Sequence, residues 1–274
     1  MKSHQIKAEV TRKELLAPDI VRLTLRAPEV AALAVPGQFI MVKVSSGITP
    51  LLRRPFSIHQ SGANEWLQIL FKVVGKGTDL LADKEPGEAL DIIGPLGHGY
   101  SLPPETCRNV CLVGGGMGIA PLFFLAKELL MTRPDIQVKV FLGAGKGSEL
   151  STLQGDFAGL GVTVDIATDD GSLGFPGFVT DLLRQTLDRS QAWQFYCCGP
   201  HPMMKKVVEF CATGRWPCQV SLETMMACGI SACLGCTIRS SPQKALSSNT
   251  PFLHVCKDGP VFASGDVAWS KGEQ

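Results

Sequence analysis

The 274 residues carry 26 Lys and Arg against 25 Asp and Glu, a formal net charge of +1, with 45% hydrophobic and 19% charged side chains. A chain of this length has room for more than one domain of ~100–150 residues and enough apolar content to build cores, which excludes a disordered polyelectrolyte. Its near-neutral balance argues against nucleic acid or an anionic membrane surface as partner, since both select a basic face.

The N-terminal MKSHQIKAEVTRKELL has no apolar core of the kind a secretory signal needs, and the apolar stretches are broken by Gly, Pro or charge. They fall short of the ~20 residues of a membrane span. The expectation is a soluble, cytoplasmic protein, and in that compartment ten cysteines read as reduced thiols or metal ligands rather than disulfides.

From residue 6 to 94 the sequence consists of short β-rich runs separated by Pro and Gly. Residues 20–25 alternate apolar and polar side chains; residues 39–44 and 67–74 are more continuously apolar. Short strands with regular turn signals and no helical period predict a small antiparallel barrel. Within it, Arg54, Pro55, Phe56 and Ser57 follow the apolar pair Leu51–Leu52. Arg54 is of a type that can hold a diphosphate and Ser57 of one that can bond a ring edge, although RPFS by itself reads first as an ordinary strand with one charge. Gly75-Lys76-Gly77-Thr78 offers a glycine-rich turn before the helix-like DLLAD.

Between about 109 and 213 the rhythm changes. Strand-like runs at 110–113, 138–142, 162–167 and 193–197 alternate with helix-like segments at 120–131, 179–187 and 202–212. Alternation of this kind predicts a parallel sheet with helices on its faces. The first strand runs into CLVGGGMGIAPL, so Gly114, Gly115, Gly116 and Gly118 stand where a strand turns into a helix. Free amides and the helix dipole favour a pyrophosphate there, although the spacing is not G-x-G-x-x-G and a tight structural turn is the alternative. YCCGPHPM, at the end of the last strand, puts Cys198, Gly199 and Pro200 where ligands bind in open α/β sheets. There Cys198 is either a thiol against a flat nicotinamide or a buried core residue. The segment GAGKG at 143–147 lacks an Arg pair for a 2′-phosphate, which favours NAD.

The third zone, from Cys218 onward, is cysteine-rich and irregular. Cys228, Cys233 and Cys236 stand in C-x4-C-x2-C spacing, with Cys256 beyond the polar stretch RSSPQKALSSNT. This is the plant-type [2Fe–2S] arrangement: three thiolates from one tight loop and a fourth from another segment. A zinc ribbon would favour two short C-x2-C pairs, and plain buried thiols are the remaining alternative. Cys107, Cys111, Cys211 and Cys218 have no such spacing and read as small core residues. The five histidines show no metal or catalytic spacing.

The order RPFS, GKGT, GGGMGIAPL, CGPHPMM resembles the ferredoxin-reductase superfamily. Together with GPLGHGY, SLETMMACGISACLGC and VCKDGPVF, it resembles one branch across essentially the whole chain: the electron-transfer subunits of NAD-dependent (type 1B) dihydroorotate dehydrogenase. The resemblance implies a multidomain β plus α/β protein. Its parts would be an antiparallel FAD-binding β-barrel at 1–102, a parallel-sheet NAD-binding domain at 103–216 and a small C-terminal [2Fe–2S] domain at 217–274.

The resemblance further implies FAD contacted by Arg54, Pro55, Phe56, Ser57, Leu70, Phe71 and Lys72, with Gly77 and Thr78 at its pyrophosphate. NAD would lie near Gly114–Gly118, Cys198, Gly199 and Pro200. Cys228, Cys233, Cys236 and Cys256 would ligate the cluster, and Ser57 and Cys198 would stand beside the reacting rings. The implied partner is an FMN-containing dihydroorotate dehydrogenase catalytic subunit, two copies of each forming a heterotetramer in pyrimidine biosynthesis. The alternative is a reductase subunit serving a ferredoxin, sulfide or hydrogenase partner. The segment between Cys236 and Cys256 looks longer than in such relatives.

Overall fold

The computed structural model describes residues 2–45, 47–62 and 65–269, so the outer ends expected for the first and last domains lie outside the described residues. Six strands close an antiparallel barrel: β1 (His4–Ala17), β2 (Ile20–Arg26), β3 (Phe39–Lys43), β4 (Arg54–Gly62), β5 (Trp66–Lys72) and β6 (Ala89–Leu96). Around the barrel they run β1-β2-β5-β4-β3-β6. Ala8, Val10, Leu23, Leu25, Ile58, Leu67 and Ile69 are fully buried, as inward positions of strands with period 2 must be when a barrel has no open edge. Two short helices decorate the connections, α1 (Pro28–Ala31) and α2 (Lys76–Ala82).

The second body is a seven-stranded sheet. Its parallel strands β7 (Asn109–Gly115), β8 (Gln137–Ala144), β9 (Thr163–Thr168), β10 (Phe175–Pro176), β11 (Gln194–Cys198) and β12 (Cys218–Ser221) stand in the order β10-β9-β8-β7-β11-β12. Helices α3 (Ile119–Thr132), α4 (Ser151–Ala158), α5 (Val179–Thr186) and α6 (His201–Gly214) pack on its faces. The expected strands and helices of this zone appear within one or two residues of their predicted bounds. Helix α4 was not expected, because STLQGDFA mixes Ser, Thr and Gly and carries little apolar periodicity.

Beyond β12 a hairpin of β13 (Thr237–Arg239) and β14 (Phe252–His254) carries the exposed helix α7 (Pro242–Ser248) at its tip. The chain then returns to the sheet: β15 (Val261–Ala263) adds antiparallel to β12, with Val220 opposite Phe262. The sheet therefore continues past residue 216, and the cysteine-bearing segment is strapped to it at both ends. Among the described residues no helix is long and apolar enough to cross a membrane.

Candidate functional site

A cleft of about 330 Å³ opens where the barrel meets the sheet. Pro55, Phe56 and Ser57 of β4 and Leu70, Phe71 and Lys72 of β5 share its barrel wall. These strands are antiparallel neighbours, which brings the Phe56 and Phe71 rings to 5.4 Å between centroids. The opposite wall is Met117 in the turn before α3 and Ala120 in its first turn, with Ser221, Leu222, Glu223, Thr224 and Met226 in and beyond β12. An apolar slot with a few polar edges suits a flat ring. Thr224 Oγ1 is buried in this wall without a protein partner, so the residues present fit a flavin.

Next to this wall the Arg54 guanidinium covers Gly77: a Cβ there would stand 3.0 Å from Nε. Thr78 lines the cleft, but its hydroxyl serves the turn, accepting from the amides of Val74 (2.9 Å) and Gly75 (3.2 Å). Lys72 reaches out of the barrel. Its Nζ lies 2.8 Å from Glu149 and 3.3 Å from Asp19, and the Glu149 carboxylate raises its affinity for the proton.

Glu223 carries no sequence expectation, yet it is the acid in the cleft lining. Its residue surface is open to the cleft while neighbouring atoms crowd its carboxyl, and that desolvation raises it from its ordinary value. The available signal was a lone acid in SLETMM, just before Cys228.

A second cleft, about 350 Å³, lies over the C-terminal ends of the parallel strands. Gly115, Gly116 and Pro200 line it, as do Gly143, Ala144, Gly145, Asp169, Thr180 and Met203. Gly116 has φ +53°, and a Cβ on it would meet open space, so its backbone is free to approach a ligand. Gly118 works differently: a Cβ there would overlap the backbone of Cys198 and Gly199, so the turn can seat only as glycine. Gly114 packs against Ile119 and Leu122 behind the cleft. Cys198 is 1% exposed and lines neither cleft. Its thiol is pushed well up by burial and by the nearby Glu223 charge. Asp169 and Thr180 had no expectation, since a single polar residue after a strand or at a helix start carries no local signal.

The four cysteines lie near one edge of the barrel as two pairs, and among the described residues no three of them are grouped closely enough to hold one metal ion. Gly229 lies against Met41 of β3, and Gly229, Ile230 and Ser231 share a surface hollow with Gly97, His98 and Cys256. Gly229, Ser231 and Leu234 take φ of +71°, +66° and +58°, which curls the loop so that successive amides point inward. The amides of Ile230, Ala232 and Cys233 approach the Cys228 sulfur at 3.3–3.4 Å, that of Gly235 approaches Cys233 Sγ at 3.4 Å, and that of Cys256 approaches Cys236 Sγ at 3.4 Å.

Burial opposes charge on Cys228, but the amides and the adjacent Cys233 thiol outweigh it and bring the thiol down to about 7. At Cys236 burial prevails and pushes it up to about 11. The sulfurs fall into two neighbouring pairs, Cys228 with Cys233 and Cys236 with Cys256. A two-iron cluster takes two protein ligands per iron, so this donor set fits one. Met226 walls the flavin cleft and Cys228 stands two residues on, at most ~7 Å of extended chain.

Three family profiles cover the chain in sequence. Residues 7–100 match an oxidoreductase FAD-binding domain, 112–209 an oxidoreductase NAD-binding domain, and 223–268 the iron–sulfur cluster binding domain of dihydroorotate dehydrogenase B. The electron transfer subunit of dihydroorotate dehydrogenase B (NAD(+)) from Desulforamulus reducens is 41% identical over 96% of this chain and 97% of its own. The chain belongs to this family. The corresponding subunit of Geobacillus thermodenitrificans is 40% identical over 94% and 96%.

Among solved structures, a chain from work on an NADH-dependent reduced ferredoxin–NADP oxidoreductase superposes with TM-score 0.80 at 30% identity, covering 96% of this chain and 90% of that one. A ferredoxin–NADP+ reductase of Neisseria gonorrhoeae shares the fold at TM-score 0.66 and 17% identity, over 76% and 91%. As a member of the dihydroorotate dehydrogenase B family, the protein is an oxidoreductase subunit with FAD, NAD and iron–sulfur domains, and acts with a catalytic partner.

Proposed function

We propose that the chain takes electrons released from dihydroorotate at the FMN of a catalytic subunit and delivers them to NAD+, as part of cytoplasmic pyrimidine biosynthesis. The observation that carries this reading is the continuity of the chain from the cleft wall, Ser221 to Thr224 and Met226, into the cysteine loop, which begins two residues later at Cys228. When bound, the flavin supplies the exchange between single electrons and hydride that an iron–sulfur cluster and a nicotinamide cannot make with each other.

The chain's own residues hold, orient and shield. Arg54 and the turn from Gly75 to Thr78 would hold the diphosphate of FAD, with Gly77 leaving room for the guanidinium. Pro55, Phe56, Leu70 and Phe71 would fix the ring in an apolar slot and keep water out, and Ser57 would bond its edge. Gly115, Gly116, Gly199 and Pro200 would seat the NAD pyrophosphate. Cys198 acts from behind the wall, as a positioning residue beneath the loop that both clefts share. Cys228, Cys233, Cys236 and Cys256 would ligate a [2Fe–2S] cluster, with the loop amides donating to the sulfurs.

The rim of that loop supports a docking face for the catalytic partner. Cys233 is exposed, and Met225 (88% exposed), Ile230 and Leu234 present apolar side chains around it. Two such subunits would flank a catalytic dimer.

Co-expression with an FMN-containing dihydroorotate dehydrogenase subunit, followed by anaerobic purification, tests the reading. Dihydroorotate should drive NADH formation, and Cys233→Ser should abolish it. A complex with FAD and iron but no dihydroorotate-dependent NADH would overturn the assignment. It would favour a ferredoxin-type partner, toward which the 30% identical structural relative points.

A further inference from the structure

Lys72 is the cation in the lining of the flavin cleft, and it stands at the end of β5, where its ammonium has two acids within reach. Within the barrel it lies 3.3 Å from Asp19, which is held beside β5 because the Val73 amide donates to the Asp19 carbonyl at 2.7 Å. Across the seam it lies 2.8 Å from Oε2 of Glu149, in the turn Gly147–Glu149 that follows β8. The other oxygen of Glu149 covers Gly145: a Cβ there would stand 3.4 Å from Oε1. Gly145 lines the nucleotide cleft. One ion pair therefore joins the lining of one cleft to the lining of the other.

This placement gives the pair two states of unequal consequence. Lys72 is half-buried and carries a charged head on a long apolar stem, so its direction is set by what fills the space around it. Turned outward, as observed, it neutralises Glu149. Turned inward, it would enter the flavin cleft and leave Glu149 as a bare carboxylate beside Gly145. A ring seated against Pro55, Phe56, Leu70 and Phe71 removes the space for the inward state. An anionic dinucleotide in the cleft that Gly145 lines disfavours the same state, because its phosphates would meet an unpaired carboxylate.

We propose that Glu149 is a positioning residue that acts through Lys72, and that their ion pair couples the two clefts: FAD in one strengthens the binding of NAD in the other, and NAD slows the loss of FAD. The reciprocity is obligatory, because both ligands favour the same state of one shared element. The coupling orders the filling of the protein, flavin first, and needs no movement of the seam. It rests on the FAD and NAD sites proposed above. The ion pair of Arg22 with Asp156 crosses the same seam at 2.6 Å, but neither residue lines a cleft, so it supplies stability without coupling.

The test is the rate at which FAD leaves the oxidised, cluster-loaded complex after dilution, read by chromatography of the ultrafiltrate, with and without saturating NAD+. In wild type NAD+ should slow this release roughly fivefold or more. Glu149→Gln, nearly isosteric, should bring that factor to about one. Lys72→Met should do the same, and the double variant should go no further, because the two residues act as one unit. Asp156→Ala should keep the wild-type factor. A factor retained in Glu149→Gln, or in Lys72→Met where the glutamine variant fails to fold, would overturn the inference. Its loss in Asp156→Ala as well would also overturn it, by assigning the coupling to the seam as a whole. Wild type that binds NAD+ in calorimetry without slower FAD release would overturn the coupling and leave both sites standing. Wild type that binds no NAD+ would overturn the NAD site with it.

Discussion

The seam between barrel and sheet and the loop carrying the four cysteines are neighbouring structures held by opposite physics. At the seam every grip is made by the protein itself. His59 is fully buried, its Nδ1–H donates to Ala120 O at 3.0 Å, and its ring stacks on Phe123 at 4.8 Å between centroids. Arg22 bridges Glu14 of the barrel (3.0 Å) and Asp156 of α4 (2.6 Å), and Lys72 meets Glu149. In the cysteine loop the side chains are largely exposed, and order comes from left-handed residues and amides aimed at sulfur. A rigid seam sets the spacing of the two clefts; the open loop exposes Cys233, while Cys236 and Cys256 stay buried. Such a loop needs its metal to be complete, whereas the seam does not.

That contrast breaks at measurable points. The largest effect belongs to the loop: Cys236→Ser should abolish iron content and visible cluster absorbance while leaving the denaturant midpoint of the FAD-loaded chain nearly unchanged. Retained iron would remove Cys236 from the ligand set, and a large loss of stability would mean that loop and seam fold as one.

The second effect is a pH dependence at the seam. Burial lowers His59 from 6.5 to about 4, so the unfolded chain binds a proton that the folded chain refuses. Stability should be full above pH 6.5 and decline as pH falls toward 4, by about 3 kcal/mol in total. His59→Gln should be less stable at neutral pH but lose this slope, and parallel unfolding profiles for the two proteins would refute the assignment.

A smaller cost, about 1–2 kcal/mol, is expected for Asp156→Ala, since Arg22 keeps Glu14 and the site is only partly buried. Iron content should not change; a loss of iron would show that the seam supports the loop. Smallest of all, Lys13→Ala should shift stability by no more than about 0.5 kcal/mol, because its partner Glu85 is largely exposed. A larger effect would place part of the seam's energy on the barrel surface.

Much of the architecture was legible because its signals are local. Apart from Lys139, the runs at 110–113 and 138–142 are apolar on both faces, as strands between helix layers must be. The cysteine spacing is covalent and needs no fold to be read. Strand β15 was not legible: three residues, more than thirty positions beyond β12, owe their conformation to a partner across the sheet. Lys72 shows the same limit. Its position on β5 beside the flavin wall was readable, but its engagement with Glu149 depends on how two bodies dock.

The sequence by itself determined the order of a barrel, an α/β sheet and a cysteine loop, the glycine turn at 114–118, and the set of four thiols. Periodicity and short covalent spacing carry that information within a few residues. Only the tertiary structure decided that Cys198 lies behind both clefts, that Glu223 lines the cleft between barrel and sheet, and that Asp169 and Thr180 both line the nucleotide cleft. These are juxtapositions of residues distant in sequence, produced by the packing of whole elements, and a lone polar side chain acquires its meaning from them.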